Sequence, residues 1–395
     1  MNIENIDFRA LPFGRRYTRL LIAQRGGALW LNYTGAKERP ELIRLIPTRN
    51  GCAVRYSAVC NPGKLTLTEE RGGGTLELVY GNGETLLIRG SGGLGLRFCI
   101  EFDAHEQFMD RLDGTVYAGF SMLGEFLFEA VSGVQTHNYR WIAIAMKPEP
   151  LELTWEPEAG GDIYGYIHHA DYCVNRPAAP LGDFDAHAGA NYSDYRQWRA
   201  KYPEDIESPI SSPYETWIGC MFPKGYLKTD FIIGTGFRNP PAGDYVKVGG
   251  NGDTSMQCMY AAELWQDVDL AVKFLYTAFS LQDEYGQIPV DATAWGVEYS
   301  KPSFPMQGWA LLQIIEKAGL SALTRTHAEL LYEPFIRWIE WWFSFRPAEA
   351  EYLTSDILND CILAASKLAL VLGKTAEADK LQQKYDDNRE KWVTK

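Results

Sequence analysis

The residues with the most to offer chemically lie between positions 253 and 309. Asp253 opens an apolar-periodic run, and Trp295, Tyr299, Lys301, Gln307 and Trp309 follow it. Aromatic rings stack on the apolar faces of sugars, while carboxylates, amides and ammonium groups hydrogen-bond their hydroxyls. The mixture suits a neutral, hydroxyl-rich ligand. Hydrolysis of such a ligand needs carboxyl groups in two protonation states, and Glu298, Glu349 and Glu351 are the nearby candidates. Each position also has a plainer reading. Asp253 suits a helix N-cap, Trp309 a core ring, Lys301 a solvated loop charge and the glutamates surface charges.

Composition narrows the partner. The 395 residues carry a net charge of −13, which disfavours nucleic acid and anionic membrane surfaces, since both reward basic patches. With 12 Trp, 22 Tyr and 18 Phe, aromatic residues form 13% of the chain, enough for both a helical core and stacking platforms. The cysteines (Cys52, Cys60, Cys99, Cys173, Cys220, Cys258 and Cys361) include no C-x-x-C pair, so neither a zinc site nor a disulfide framework is indicated, and no cofactor is expected. No apolar run approaches the ~20 residues of a membrane span. The opening run MNIENID lacks the basic start and apolar stretch of a signal peptide, which reads as cytoplasmic.

These residues must be positioned by two different kinds of architecture. Short apolar or alternating runs at 20–23, 28–33, 42–46 and 76–80 read as strands, with further strands expected at 124–131, 140–146 and 151–155. Glycine-rich turns separate them; the run GGLG at 92–95 is a turn and lacks the full phosphate-binding pattern. Residues 1–174 are thus expected to form an antiparallel β-sandwich. A linker follows at 175–210, with a short helix at 192–201. From 211 to 395 the period becomes helical, with segments at 254–281, 304–318, 322–345, 357–372 and 376–393, and an all-helical second half is expected.

Several runs in the second half carry a resemblance. They are WIGCMFPKGYLK at 217–228, GDTSMQ at 252–257, DEYGQIP at 283–289 and YSKPSFPMQGWA at 299–310. YEPFIRWIEWWF at 332–343 and TSDILN at 354–359 match more loosely. In this order they resemble the six-hairpin glycosidases with an (α/α)6 barrel, in the branch of glycoside hydrolase family 63 and the amylo-α-1,6-glucosidase-like proteins. The resemblance implies a sandwich followed by a helical barrel, and cofactor-free hydrolysis of an α-linked glucoside or related sugar by inversion. It casts Asp253 as a substrate-gripping aspartate.

The family's two catalytic carboxylates have no counterpart at matching positions. The acid belongs to an S-G-x-D segment after the W-W helix, where this chain runs from Phe343 almost directly into the next helix. The base, a glutamate, lies beyond the point this sequence reaches, so the barrel is expected to be partial. Because a half barrel exposes a wide apolar inner face, a homo-oligomeric partner surface, a second chain completing the ring or a rearranged closure is expected. The alternative reading is a catalytically inactive sugar-binding or assembly protein on the same scaffold. A lyase or epimerase is less well served, since His327 is the one histidine in the second half.

Overall fold

Strands such as Leu65–Glu69 and Leu151–Glu156 alternate apolar and polar residues, so each buries one face. The computed structural model describes residues 13–15, 20–25, 28–33, 41–81, 84–112, 114–121, 123–159, 161–170, 182–201, 221–222, 231–232, 252–293, 296–344 and 355–393. The chain divides into two compact units, Met1–Phe222 with Gly234–Gly250 and Pro223–Ile233 with Asn251–Lys395.

The first unit contains β1 (Leu20–Arg25), β2 (Ala28–Tyr33), β3 (Ile43–Arg49), β4 (Cys52–Ala53), β5 (Tyr56–Cys60), β6 (Leu65–Glu69), β7 (Thr75–Tyr80) and β8 (Thr85–Ser91). It continues with β9 (Gly95–Ile100), β10 (Gln107–Asp110), β11 (Val116–Phe120), β12 (Gly124–Ser132), β13 (Val134–His137), β14 (Trp141–Ile142), β15 (Lys147–Pro148), β16 (Leu151–Glu156) and β17 (Ile163–Ala170). One sheet runs β1-β2-β3-β9-β16-β13, with β4 on β3; the other runs β10-β11-β12-β17-β8-β7-β6-β5. All pairings within them are antiparallel.

The inner faces share one apolar core. Phe98 of one sheet meets Phe128 of the other with ring centroids 5.3 Å apart, and Trp155 packs edge-on against Phe98. A side chain at Gly165 would come within 2.8 Å of the Trp155 ring, so β17 has a glycine where the indole crosses it. The GGLG run is the turn between β8 and β9, with Gly92 and Gly93 at positive φ.

Helix α1 (Phe184–Arg199) lies on the outer face of the larger sheet, where Phe184 joins Val79, Leu87 and Tyr166. Asp183 caps it by accepting from the Asp185 amide, which starts the helix well before residue 192. Arg89 holds it in place: the guanidinium donates to Glu77 and Asp185 and lies 4.3 Å from the centre of the Phe184 ring. Lys64 also pairs with Glu77, at 2.5 Å. Burial works against the Glu77 charge, but these two cations outweigh it and hold the carboxyl below its ordinary range.

Two short strands, β18 (Met221–Phe222) and β19 (Phe231–Ile232), precede the second unit's main elements. These are β20 (Gly252–Asp253), α2 (Thr254–Glu263), α3 (Val268–Ser280), β21 (Pro289–Thr293), β22 (Gly296–Pro302), α4 (Gln307–Ala318), α5 (Arg325–Ser344), α6 (Ser355–Val371) and α7 (Thr375–Val393). Alternate helices form two rows: α2 packs on α4 and α4 on α6, while α3 packs on α5. Consecutive helices α2–α3, α5–α6 and α6–α7 are also neighbours. Gly308 makes the α4–α6 approach possible, because any Cβ there would collide with the backbone of Asp360 and Cys361.

Three expectations are corrected. The second half is not all-helical, since β20, β21 and β22 form a sheet there. The single run 254–281 is two helices, because Asp267 accepts from the Leu270 amide and starts α3 afresh. The strand expected at 140–146 is instead a hairpin of two short strands around a turn in which Met146 has φ of 49°. Among the described residues no helix is long and apolar enough to cross a membrane.

Two glycines give opposite outcomes. Gly308→Ala lowers stability by about 1–3 kcal/mol, because the obstacle is backbone. Gly189→Ala, in α1 with open space around it, raises stability by roughly 0.5–1 kcal/mol; urea unfolding of both variants checks this. The depressed Glu77 carboxyl adds stability above its unfolded pKa, and that contribution is lost as pH falls through its folded value. Glu77→Gln therefore lowers Tm near neutral pH, and thermal melts across pH show the gap to wild type closing as pH falls below the ordinary carboxyl value of 4.5.

Candidate functional site

The site is built around Thr254, the first residue of α2. Its buried Oγ1 donates to the Pro289 carbonyl at 2.6 Å and lies 2.6 Å from Ser303 Oγ. Pro289 begins β21 and Ser303 follows β22, and the Ser303 amide donates to the Ile288 carbonyl at 2.9 Å. Thr254 thus ties both ends of the β21–β22 hairpin to the start of α2, and Asp253 is its neighbour in β20.

Register then sets a row of acids. Asp253 pairs with Asp291, and Asp291 with Glu298. Directly opposed residues of an antiparallel sheet share a face, so the three occupy one cross-strand row; for these three the backbone alone is described. Strands lie about 4.8 Å apart, which separates positions 253 and 298 by about 10 Å. The register shifts between the pairs Asp291–Glu298 and Pro289–Pro302, where residues 299–301 of β22 lie opposite the single residue 290 of β21, so strict alternation stops at position 298. Tyr299 is 38% exposed, with its hydroxyl donating to the Leu281 carbonyl at 2.6 Å, and Lys301 is exposed.

The structure corrects the expectation for Gln307. The residue is fully buried at the start of α4, and its Oε1 accepts from Trp338 Nε1 at 3.0 Å. Among the described residues Gln307 Nε2, Trp342 Nε1 and Asn359 Nδ2 are buried without hydrogen-bond partners. Trp309 is half-buried on the same helix. Trp338, Trp341 and Trp342 are buried in mutual ring contact at 5.2–5.3 Å, so the W-W run builds core here. Trp295, Glu349 and Glu351 lie outside the described residues, as does most of the run at 217–228.

The motif DEYGQIP is a structural turn. Asp283 Oδ1 accepts from the amides of Tyr285 and Gln287, and Gly286 has φ of 99°. Arg337 donates to the Asp283 carbonyl and Gln282 to that of Pro334, fastening the turn to α5. His327 is likewise structural. Its Nδ1 accepts from the Thr324 amide, which assigns the proton to Nε2, 2.6 Å from Asp269 Oδ1. Among the described residues no group of His, Cys, Asp and Glu is arranged to hold a metal.

Sequence reasoning missed Asp291 and Trp338. Asp291 sits in an ordinary strand run, PVDAT, and only its register with Asp253 and Glu298 singles it out. Trp338 lay within the run YEPFIRWIEWWF, but nothing in that run pointed to its bond with Gln307.

No family model and no curated protein matches the chain. Solved structures do, at the level of the fold. The chain is similar to a family GH92 inverting mannosidase from Bacteroides thetaiotaomicron, with 11% identity over 88% of this chain and 55% of that one, at a TM-score of 0.52. A second family GH92 glycosyl hydrolase matches with 11% identity over 94% of this chain and 60% of that one, at 0.50. A bacterial glucoamylase complexed with acarbose matches with 11% identity over 96% of this chain and 66% of that one, at 0.57. The chain thus spans between about half and two thirds of their lengths, and it has a glycosidase-like scaffold.

The Trp338–Gln307 bond yields a stability prediction. Trp338→Phe strands the buried amide oxygen and costs about 1–3 kcal/mol. Adding Gln307→Leu removes both partners together with the unpartnered Nε2. The double variant is expected to be more stable than Trp338→Phe alone, as a double-mutant cycle in urea reads out.

Proposed function

We propose that this is a glycoside hydrolase-like protein of the family 63 branch that binds and hydrolyses an α-linked glucoside or related sugar by inversion. The observation that carries the reading is the cross-strand row Asp253–Asp291–Glu298. Like charges directly opposite one another destabilise a sheet, so the row is unfavourable for stability alone. It fits a site that uses carboxyl groups in two protonation states. Inversion needs two carboxyl groups about 6.5–9.5 Å apart, and the backbone positions 253 and 298 stand about 10 Å apart along this row. One carboxyl protonates the departing glycosidic oxygen. The other takes a proton from the water that attacks the anomeric carbon from the opposite face.

Fold does not fix chemistry, but the compared scaffolds include a glucoamylase and an inverting mannosidase. Exposed Tyr299 and Lys301 supply a ring and a donor at the rim of the same small sheet. We assign 1–174 to a sandwich domain, 175–210 to a linker with a short helix, α1, that packs on the sandwich, and 211–395 to the helical domain that carries the site.

A second reading is a sugar-binding protein without turnover. The run from Phe343 almost directly into the next helix favours it, because it has no carboxyl at the position of the family's proton donor.

Turnover on a panel of α-glucosides and α-mannosides, with the released anomer read by NMR, decides between them. The expected product is the inverted sugar, with kcat/KM falling about 100-fold or more in Glu298→Gln or Asp253→Asn. Saturable binding with no product from any substrate would replace hydrolysis with the second reading.

A further inference from the structure

We propose a second saccharide site on the outer face of the eight-stranded sheet, in the hollow over Gly119. Its ligand class rests on the carbohydrate reading above; its existence rests on the sandwich alone. The hollow is a cavity of about 230 Å³ lined by Gln107, Met109, Arg111, Tyr117, Gly119 and Glu125. Register explains its shape. Gln107 pairs with Gly119 and Gly119 with Glu125, so the middle of this cross-strand row has no side chain. Met109 and Tyr117 pair in the next row and form a wall. The intervening residues Phe108, Ala118 and Phe126 are buried in the core, so the lining residues face outward by alternation.

The lining is organised in advance. Arg111 Nη1 donates to Tyr117 Oη at 2.8 Å, and its guanidinium carbon lies 5.1 Å from the centre of that ring. Arg111 brings donors, Glu125 acceptors and Gln107 both, while Met109, 52% exposed, adds apolar surface beside the tyrosine. One cation and one carboxylate leave the hollow neutral. Glu125 repels a phosphate and Arg111 an ammonium, and an apolar ligand leaves all three polar groups unmatched. A sugar matches the mixture, since each hydroxyl both donates and accepts and the ring offers an apolar face. The hollow is of a size for a single sugar ring.

Met109 makes the site testable in the full chain. With methyl-¹³C methionine, its resonance is identified by its loss in Met109→Leu. Maltotriose and a mannobiose are titrated separately, which distinguishes glucose-based from mannose-based recognition. The expected result is a saturable shift of Met109 with at least one sugar. Affinity is expected to fall about tenfold or more in Gly119→Val, where the new side chain fills the hollow, and in Arg111→Ala. Met306, at the start of α4, reports on the helical unit. A Met306 shift with Met109 unmoved overturns the second site and leaves the helical one standing. A Met109 shift with Met306 unmoved supports the second site and counts against the helical one. Met109 unmoved by both sugars, or moving with wild-type affinity in Gly119→Val and Arg111→Ala, overturns the proposal. Should Gly119→Val fail to fold, Arg111→Ala carries the decision.

Discussion

The arrangement of the helical unit's loop end depends on one hydroxyl, that of Thr254. Its bond to the Pro289 carbonyl and its contact with Ser303 join the start of a helix to both ends of a hairpin. Without that tie, nothing local requires a short strand such as Gly252–Asp253 to keep its register. A two-residue strand has too few ladder bonds to hold a place in a sheet unaided. With it, Asp253, Asp291 and Glu298 fall into one row. A buried hydroxyl is costly unless satisfied, so the same bond supports stability and determines which acids are neighbours.

Close backbone approach plays the matching part in the helix packing. Gly308 lets the first turn of α4 meet α6 at Asp360 and Cys361, and the Cys361 thiol then donates to the Pro305 carbonyl at 3.4 Å. Full burial pushes that thiol up to about 12, so it behaves as a small apolar residue. Trp338 of α5 donates to the Gln307 oxygen at the start of α4. Binding groups expected at the mouth are thereby drawn into the core. A polar residue at a helix start can serve a ligand or the packing, and a buried tryptophan with an N–H to satisfy settles the matter for Gln307.

The sandwich works by different means. Its large rings come from both sheets, and alternation along each strand sends them inward. Apart from the apolar patch under α1, the outer face carries polar and mixed residues, which do two things there. Around Arg89 they fasten α1 through paired charges. Around Gly119 they leave a hollow, because one residue in the row lacks a side chain.

The sequence by itself determined the two kinds of architecture, since a period near two and a period near 3.6 are written directly in the order of apolar residues. It also marked many of the turns, because glycine adopts their positive φ without strain, while Asn50, His105 and Met146, which adopt it too, carried no such signal. It located the stretch from 253 to 309 as chemically rich. Only the tertiary structure decided which of those residues stand together. Asp291 joined the acids through pairing across strands, a relation that no local spacing encodes. Tyr299 and Lys301 fell in the stretch of β22 where the register with β21 shifts, and Gln307 was claimed by Trp338 from a helix 31 positions away. Local order selects elements, but long-range packing and register select neighbours, and chemistry depends on neighbours.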